Sequence, residues 1–376
     1  MDQAFDRSLV HLPGAAGRFA GLLEWDGLSR LLEWTPLQPP RIELARGGRT
    51  IAPERFLSGD KSPVIDAGRL SLELAQGATL IVNGIDQMVP GVAALADELA
   101  GDLGVRTGIN LYARWKADSG LPLHWDTHGV IVLQLAGRKS WTVHSPTRPL
   151  PVDGDRFEPP APGAEPAWEG VLEDGDVLYL PRGYPHGASA VDGPSMHLTI
   201  SLEEATGIGF VKWLLPRLQE ESELRAPVPH AGGPAADAAW LAEMRGAVCA
   251  QLTDEMLAGY RAAWAAGPPA RPVFTLPQFE RAQPGTWDER TELRLASERA
   301  VRIVRERDRT ARALFGSQTW PCAAATADAL ARLSSCAPLA LGELERGLGP
   351  AHRAELRRLL ALMLVSGVLF ARPAED

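Results

Sequence analysis

Along the first two hundred residues apolar and polar positions alternate in short stretches, and this period of two predicts strands. Alternation marks Arg69 to Ala75, the start of Thr79 to Asp86, Gly108 to Trp115, Ser140 to Ser145 and His197 to Glu203. Val130 to Leu135 and Asp176 to Pro181 are shorter apolar runs of the kind that form buried strands. Two segments break the period. Arg18 to Leu32 reads as a short helical opening, and between Val89 and Leu103 the residues Val92, Leu95, Leu99 and Leu103 recur at helical spacing. Many short strands parted by Gly, Pro and Asp turns predict an antiparallel sandwich or barrel. Pro146 to Gly170, rich in Pro and Gly, reads as a long loop between two core strands, of the length expected for a lid or an insertion.

After Glu204 the period lengthens. Helices are predicted at Phe210 to Glu223, Ala235 to Ala266 and Glu289 to Leu314, with Pro-rich breaks at Ala226 to Pro234 and Gly267 to Pro277. The last sixty or so residues add helices at Ala325 to Ser334, Leu341 to Gly347 and Ala351 to Ser366, then a strand-like end, Val368 to Ala371. Helix, helix, helix, strand in that compass is a winged-helix order.

Composition narrows the possibilities. A chain of 376 residues is too long for one ordinary domain, and 45% hydrophobic with 23% charged residues is a globular balance rather than that of a disordered chain. Cys249, Cys322 and Cys336 are an odd number without metal-type spacing, which excludes a zinc finger and fits a reducing cytoplasm. The opening residues show no basic start or apolar run, and no stretch reaches the roughly 18 uncharged apolar residues of a membrane span, so a soluble cytoplasmic protein without membrane contact is expected. The net charge of −9 argues against general nucleic-acid binding. That average hides an asymmetry: from Arg290 onward 14 Arg face 10 acidic residues, a net of +4, which leaves −13 for everything before.

The candidate chemistry lies in His124-Trp125-Asp126 and, sixty residues on, Gly183-Tyr184-Pro185-His186. On a strand, residues two apart share a face, so His124 and Asp126 could bind one ion from a rigid element. His186, from the turn after the strand Asp176 to Pro181, would complete two imidazoles and one carboxylate. This is the ligand set of the facial triad that binds non-haem Fe(II) and leaves positions open for a co-substrate and oxygen. His128, His144 and His197 read singly as hydrogen-bonded structural histidines, and Trp141 as core.

Three segments, His124-Trp125-Asp126-Thr127-His128, Leu133 to Trp141 and Gly175 to His186, resemble the JmjC-type cupin hydroxylases, and in particular their ribosomal oxygenase branch. The resemblance implies an α+β fold: a double-stranded β-helix catalytic domain over residues 1–205, a helical dimerisation region over 206–315 and a winged-helix domain over 316–376. It implies an Fe(II)- and 2-oxoglutarate-dependent oxygenase that uses O2 to hydroxylate an amino-acid side chain in a protein or peptide, either a ribosomal protein or a small precursor peptide. By position Lys139 corresponds to the basic residue that meets the distal carboxylate of 2-oxoglutarate; a buried carboxylate needs a cation and hydrogen bonds. Asn110 and Tyr112 match positions that help hold the co-substrate, as does Ser201, with Thr199 as its substitute. An acidic catalytic part would draw in a basic partner, and the branch implies a homodimer.

Two rival classes stay open on sequence alone. A regulator could sense a ligand through the cupin and read DNA through the winged helix, with Arg353, Arg357 and Arg358 at the start of the recognition helix. Against it, Leu359 to Val365 is apolar nearly all round, and such helices are buried. The other rival is a metallocupin of different chemistry, and Lys139 is the residue that separates it from a 2-oxoglutarate enzyme.

Overall fold

The computed structural model describes all residues except 1–4, 117–121, 231–232, 266–286, 297–300, 306–309, 316–317, 336 and 373–376. Two compact units emerge, Met1–Glu203 and Glu204–Asp376. The first begins with β1 (Val10–Leu12), α1 (Trp25–Trp34), β2 (Ile42–Arg46) and β3 (Arg49–Thr50). A small hairpin, β4 (Leu57–Ser58) and β5 (Val64–Ile65), precedes α2 (Ala67–Ala75), β6 (Thr79–Val82) and α3 (Pro90–Leu103). The strands that build the site follow: β7 (Arg106–Arg114), β8 (Gly129–Ala136), β9 (Lys139–Val143), β10 (Trp168–Leu172), β11 (Val177–Leu180), β12 (His186–Ala190) and β13 (Ser195–Glu203).

Eight strands form one antiparallel sheet in the order β1-β11-β8-β13-β7-β6-β2-β3, and β10-β9-β12 form a second. The period of two explains how they pack. On β8, Ile131, Leu133 and Leu135 join the apolar layer that also holds Leu28 of α1, Leu70 of α2 and Val92 of α3. The alternate residues Val130 and Val132 point the other way, into a cluster with Trp141, Val143, Leu172, Leu178 and Leu180 drawn from both sheets. Buried on both faces, β8 reads as an unbroken apolar run. On β7 and β13 the odd and even positions divide differently. Ile109, Leu111, Leu198, Ile200 and Leu202 enter the helix-covered layer, while Asn110, Tyr112, His197, Thr199 and Ser201 line a cavity between the strands.

The second unit opens with α4 (Gly207–Leu218), α5 (Ser222–Arg225), α6 (Gly233–Gln251) and α7 (Asp254–Ala265). Thr206 caps α4, accepting from Gly209 N at 3.1 Å. Next come β14 (Glu292–Leu295), β15 (Arg302–Arg305), β16 (Thr310–Phe315), β17 (Gln318–Ala323), α8 (Ala324–Leu330), β18 (Leu339–Ala340), α9 (Leu341–Leu344), α10 (Pro350–Val365) and β19 (Leu369–Arg372). The strands β15-β16-β17 form a meander, and β14 lies between β18 and β19. Leu356, Leu359, Leu360, Met363 and Leu364 of α10 anchor the core of this part.

Several expectations are corrected. Arg69 to Ala75 alternates like a strand but forms α2, because Asp66 accepts from Arg69 N at 3.0 Å and starts a helix that buries Leu70 and Glu73. Glu289 to Leu314 is not one helix; its described residues carry β14, β15 and most of β16, with Leu293, Leu295, Ala311 and Ala313 inward and arginines between them. The long helix Ala235 to Ala266 is broken between Gln251 and Asp254, and its last residue lies outside the described residues, as do Gly267 to Pro277 and Cys336. The last residues of the expected loop Pro146 to Gly170 are the start of β10.

Candidate metal and co-substrate site

His124 and Asp126 do not sit on a strand, as the spacing suggested. They belong to the segment before β8, held by a single antiparallel bridge in which His124 N donates to His186 O at 3.2 Å and His186 N to His124 O at 2.7 Å. His186 is likewise not in a turn but is the first residue of β12. Asp126 is fixed through its carbonyl, which accepts from Gly183 N at 3.0 Å. Gly183 has φ +81°, and a Cβ there would lie 2.7 Å from Arg148 O and 2.8 Å from Pro151 Cδ, so only glycine fits this turn.

Side-chain ligand atoms of His124, Asp126 and His186 all lie within 4.8 Å of one another, with His186 Nε2 3.7 Å from Asp126 Oδ2. Each imidazole has its other nitrogen engaged: His124 Nδ1 is 2.8 Å from Pro122 O and His186 Nδ1 is 3.0 Å from Tyr184 O. A carbonyl can only accept, so both rings carry the proton on Nδ1 and keep a lone pair on Nε2, the arrangement that orients metal-binding histidines. Burial, with the neighbouring His124 ring, holds the His186 pKa below its ordinary value and keeps it neutral, as a ligand must be. Two nitrogens and one carboxylate oxygen on one side suit iron(II), and among the described residues no thiolate joins them.

These three residues border a cavity of about 230 Å3 also lined by Asn110, Tyr112, Lys139, Thr199 and Ser201. Every residue expected at the site therefore meets in one place. Lys139 begins β9 and is only 7% exposed. No carboxylate among the described residues pairs with it; its polar neighbour is His197, with Nδ1 3.3 Å from Nζ. Burial, and secondarily the positive charge of Arg114, lowers the Lys139 pKa to about 7. Arg114 itself is buried and donates to Thr79 Oγ1, Gly77 O and Lys116 O. An ammonium buried without an anion is costly unless a ligand supplies one. Tyr112 is its complement: burial, then the charge of Asp126, pushes the phenol up to about 12, so it remains a donor.

The other candidates differ in what they have left to offer. Asn110 Oδ1 accepts from Gly84 N at 2.9 Å. Ser201 Oγ accepts from Gly108 N at 3.0 Å and donates to Gly108 O at 3.1 Å, so its hydroxyl is occupied. The Thr199 side chain makes no hydrogen bond among the described residues and has its hydroxyl available. His128 and His197, read from sequence as structural, both line the cavity, and so does Trp141.

Residues 89–208 match the JmjC domain family. This segment is a JmjC domain. Among curated proteins, Ribosomal oxygenase 1 of Gallus gallus is 36% identical over 136 residues, covering 34% of this chain and 23% of its own length. Ribosomal oxygenase 2 of Rattus norvegicus is 42% identical over 100 residues, 26% of this chain and 21% of that one. The chain thus spans well under half the length of the curated relatives it matches. Among solved structures, the Escherichia coli ribosomal oxygenase YcfD in complex with cobalt and 2-oxoglutarate superposes with a TM-score of 0.59 at 17% identity, over 99% of this chain and 96% of that one. At that identity the likeness is one of fold. The curated relatives reported are ribosomal oxygenases.

Proposed function

We propose that this protein is an iron(II)- and 2-oxoglutarate-dependent oxygenase that hydroxylates an amino-acid side chain of a protein or peptide. The observation that carries the reading is a buried lysine, Lys139, with no carboxylate partner among the described residues, sharing one cavity with a His-Asp-His triad whose imidazoles present free Nε2 lone pairs. A group that fits must have an anionic end for Lys139 and oxygen donors for a metal, and a 2-oxo dicarboxylic acid has both. When bound, the iron and 2-oxoglutarate with O2 supply oxidative decarboxylation and transfer of one oxygen atom to a substrate C–H bond.

The chain's residues bind and orient. His124, Asp126 and His186 take one side of the metal, and Lys139 holds the distal carboxylate, with the Tyr112 phenol and the Thr199 hydroxyl as further donors. In this assignment Asn110 and Ser201 shape the pocket through their bonds to Gly84 and Gly108. Val130 and Trp141 wall the cavity with apolar surface, which excludes water and strengthens each electrostatic contact inside it.

The substrate we assign is a basic segment of a ribosomal protein, in keeping with the relatives' names and the −13 charge before Arg290. The loop after β9 supports a peptide cleft beside the metal: Thr127 Oγ1 donates to Asp153 at 3.3 Å, and Phe157 packs edge-on against Trp125 at 6.1 Å. A homodimer built on the helical region is supported by α4, where Ile208, Val211 and Leu215 are 46%, 51% and 54% exposed on one helical stripe. We assign 316–376 to a winged helix that serves assembly. Arg357 of α10 is committed to the buried Glu345 and to Trp287 O, which removes it from DNA contact. Among the described residues no helix is long and apolar enough to cross a membrane, and we place the protein in the cytoplasm. The test is mass spectrometry of ribosomal proteins and candidate small peptides from cells with and without this protein. A gain of one oxygen atom that needs intact His124 is expected; its absence from every ribosomal protein moves the substrate to small peptides.

A further inference from the structure

The deep end of the cavity holds a histidine to which the reading above gives no role. His197 is 2% exposed. The pairing of β13 with β7 sets it opposite Tyr112, and the two rings stack at 5.0 Å with planes 8° apart. Trp141 meets the same imidazole edge-on at 5.8 Å. Held between these rings, His197 has little freedom to turn, and its Nδ1 stands 3.3 Å from Lys139 Nζ. An ammonium has three donors and no acceptor, so Nδ1 accepts and the ring proton sits on Nε2. Burial, and then the charge of Lys139, keeps this imidazole neutral.

We propose that His197 is a positioning residue: its Nδ1 accepts a hydrogen bond from the Lys139 ammonium and holds Nζ toward the cavity, where the distal carboxylate of a 2-oxo dicarboxylic acid binds. This rests on the co-substrate reading above and adds a group to it. A neutral acceptor suits the place for a physical reason. A protein carboxylate there would cancel the Lys139 charge and leave no net attraction for a ligand anion. An apolar side chain would leave the flexible lysine to sample other rotamers and bury a donor unmet. An imidazole satisfies one of the three donors, leaves the charge uncancelled and frees two donors for the ligand. The other groups facing Lys139 agree: Tyr112 and Trp141 present ring faces at 6.0 and 5.9 Å, and Arg114 adds positive charge.

The test is calorimetric titration of Mn(II)-loaded protein with 2-oxoglutarate and with 2-oxobutyrate, which lacks the distal carboxylate. His197→Phe keeps a stacked ring and removes the acceptor, whereas His197→Asn restores an acceptor near the Nδ1 position. Loss of a hydrogen bond to a charged group predicts roughly 10- to 100-fold weaker 2-oxoglutarate binding in His197→Phe, unchanged 2-oxobutyrate binding, and recovery of most of the loss in His197→Asn. Wild-type 2-oxoglutarate affinity in His197→Phe, or equal loss for both acids, overturns the proposal. A readout that needs no metal and no variant is the 15N spectrum of the imidazoles: His197 as the Nε2–H tautomer is expected, and Nδ1–H contradicts it. Lys139→Ala separates the two levels of the argument. If it too binds 2-oxoglutarate as wild type, the co-substrate reading fails; if it loses binding while His197→Phe keeps it, only the role of His197 fails.

Discussion

Buried polar groups in the two units are used differently. In residues 204–376 the buried threonines and glutamate are spent on their surroundings: Thr291 donates to Asp288 at 2.9 Å, Thr326 bonds Glu355, and Glu345 pairs with Arg357. In residues 1–203, Glu73 and Asp176 are spent in the same way, on Arg46 and Arg55 and on His11. Around the cavity the pattern changes. Among the described residues Lys139 meets no anion, His124 and His186 keep Nε2 free, and the Thr199 hydroxyl has no partner. Buried indole N–H groups without a partner among the described residues occur in both units, Trp287 and Trp320 included. What sets the cavity apart is that a buried lysine and two imidazoles with capacity left over, which is costly to the fold, share it, and this marks it as the place where a ligand completes the structure.

This contrast can be broken most forcefully at the metal ligands. Asp126→Ala is expected to weaken Mn(II) binding, followed by electron paramagnetic resonance, by more than the roughly 10- to 100-fold typical of losing an outer-shell partner, with the thermal melt little changed. Retained metal affinity would mean that the triad is not the site. Next in size, Lys139→Ala should lower 2-oxoglutarate affinity roughly 10- to 100-fold while leaving Mn(II) affinity intact; calorimetry separates the two. A third effect follows from the Lys139 pKa of about 7. Below that pH the ammonium is already present in the empty cavity. Above it, binding a carboxylate must also take up a proton, so 2-oxoglutarate affinity should fall as pH rises past 7, by up to about tenfold per unit. In Lys139→Arg, charged throughout, the slope should vanish. The smallest effect belongs to the second unit. Arg357→Ala leaves Glu345 buried without its partner and should destabilise the protein by about 1–3 kcal/mol in denaturant melts, less than for a fully buried pair because Arg357 is partly exposed. Metal and 2-oxoglutarate affinity should not move, and neither should DNA mobility at low salt.

The comparison also explains what was legible in the sequence. Strands β7, β8 and β13 could be read because sheet period and burial coincide: alternate residues enter an apolar layer, and the rest line a cavity or a second core. The eight candidate residues could be named because three lie in short motifs and five follow from the family resemblance, and all eight line one cavity. Arg69 to Ala75 misled because Leu70, Leu72 and Leu74 alternate, although Leu72 is 58% exposed and the Asp66 cap decides for a helix. Glu289 to Leu314 misled in the opposite sense: its strands span only four to six residues, and their frequent arginines suited a helix as well. His197 was invisible because its significance lies in Lys139, 58 residues earlier in the chain, and only the pairing of β13 with β7 and β8 brings it to the cavity. The placement of His124 on an isolated bridge was likewise beyond local pattern, since the bridge depends on His186.

The central claim is that the three ligands and Lys139 serve one reaction. Its most direct test is succinate formation from 2-oxoglutarate, followed by proton NMR under air with Fe(II) and ribosomal protein. The account predicts succinate with the wild-type chain and none above background with His124→Ala or without iron. Wild-type protein that binds iron and 2-oxoglutarate yet forms no succinate, or His124→Ala that forms it at the wild-type rate, would contradict it.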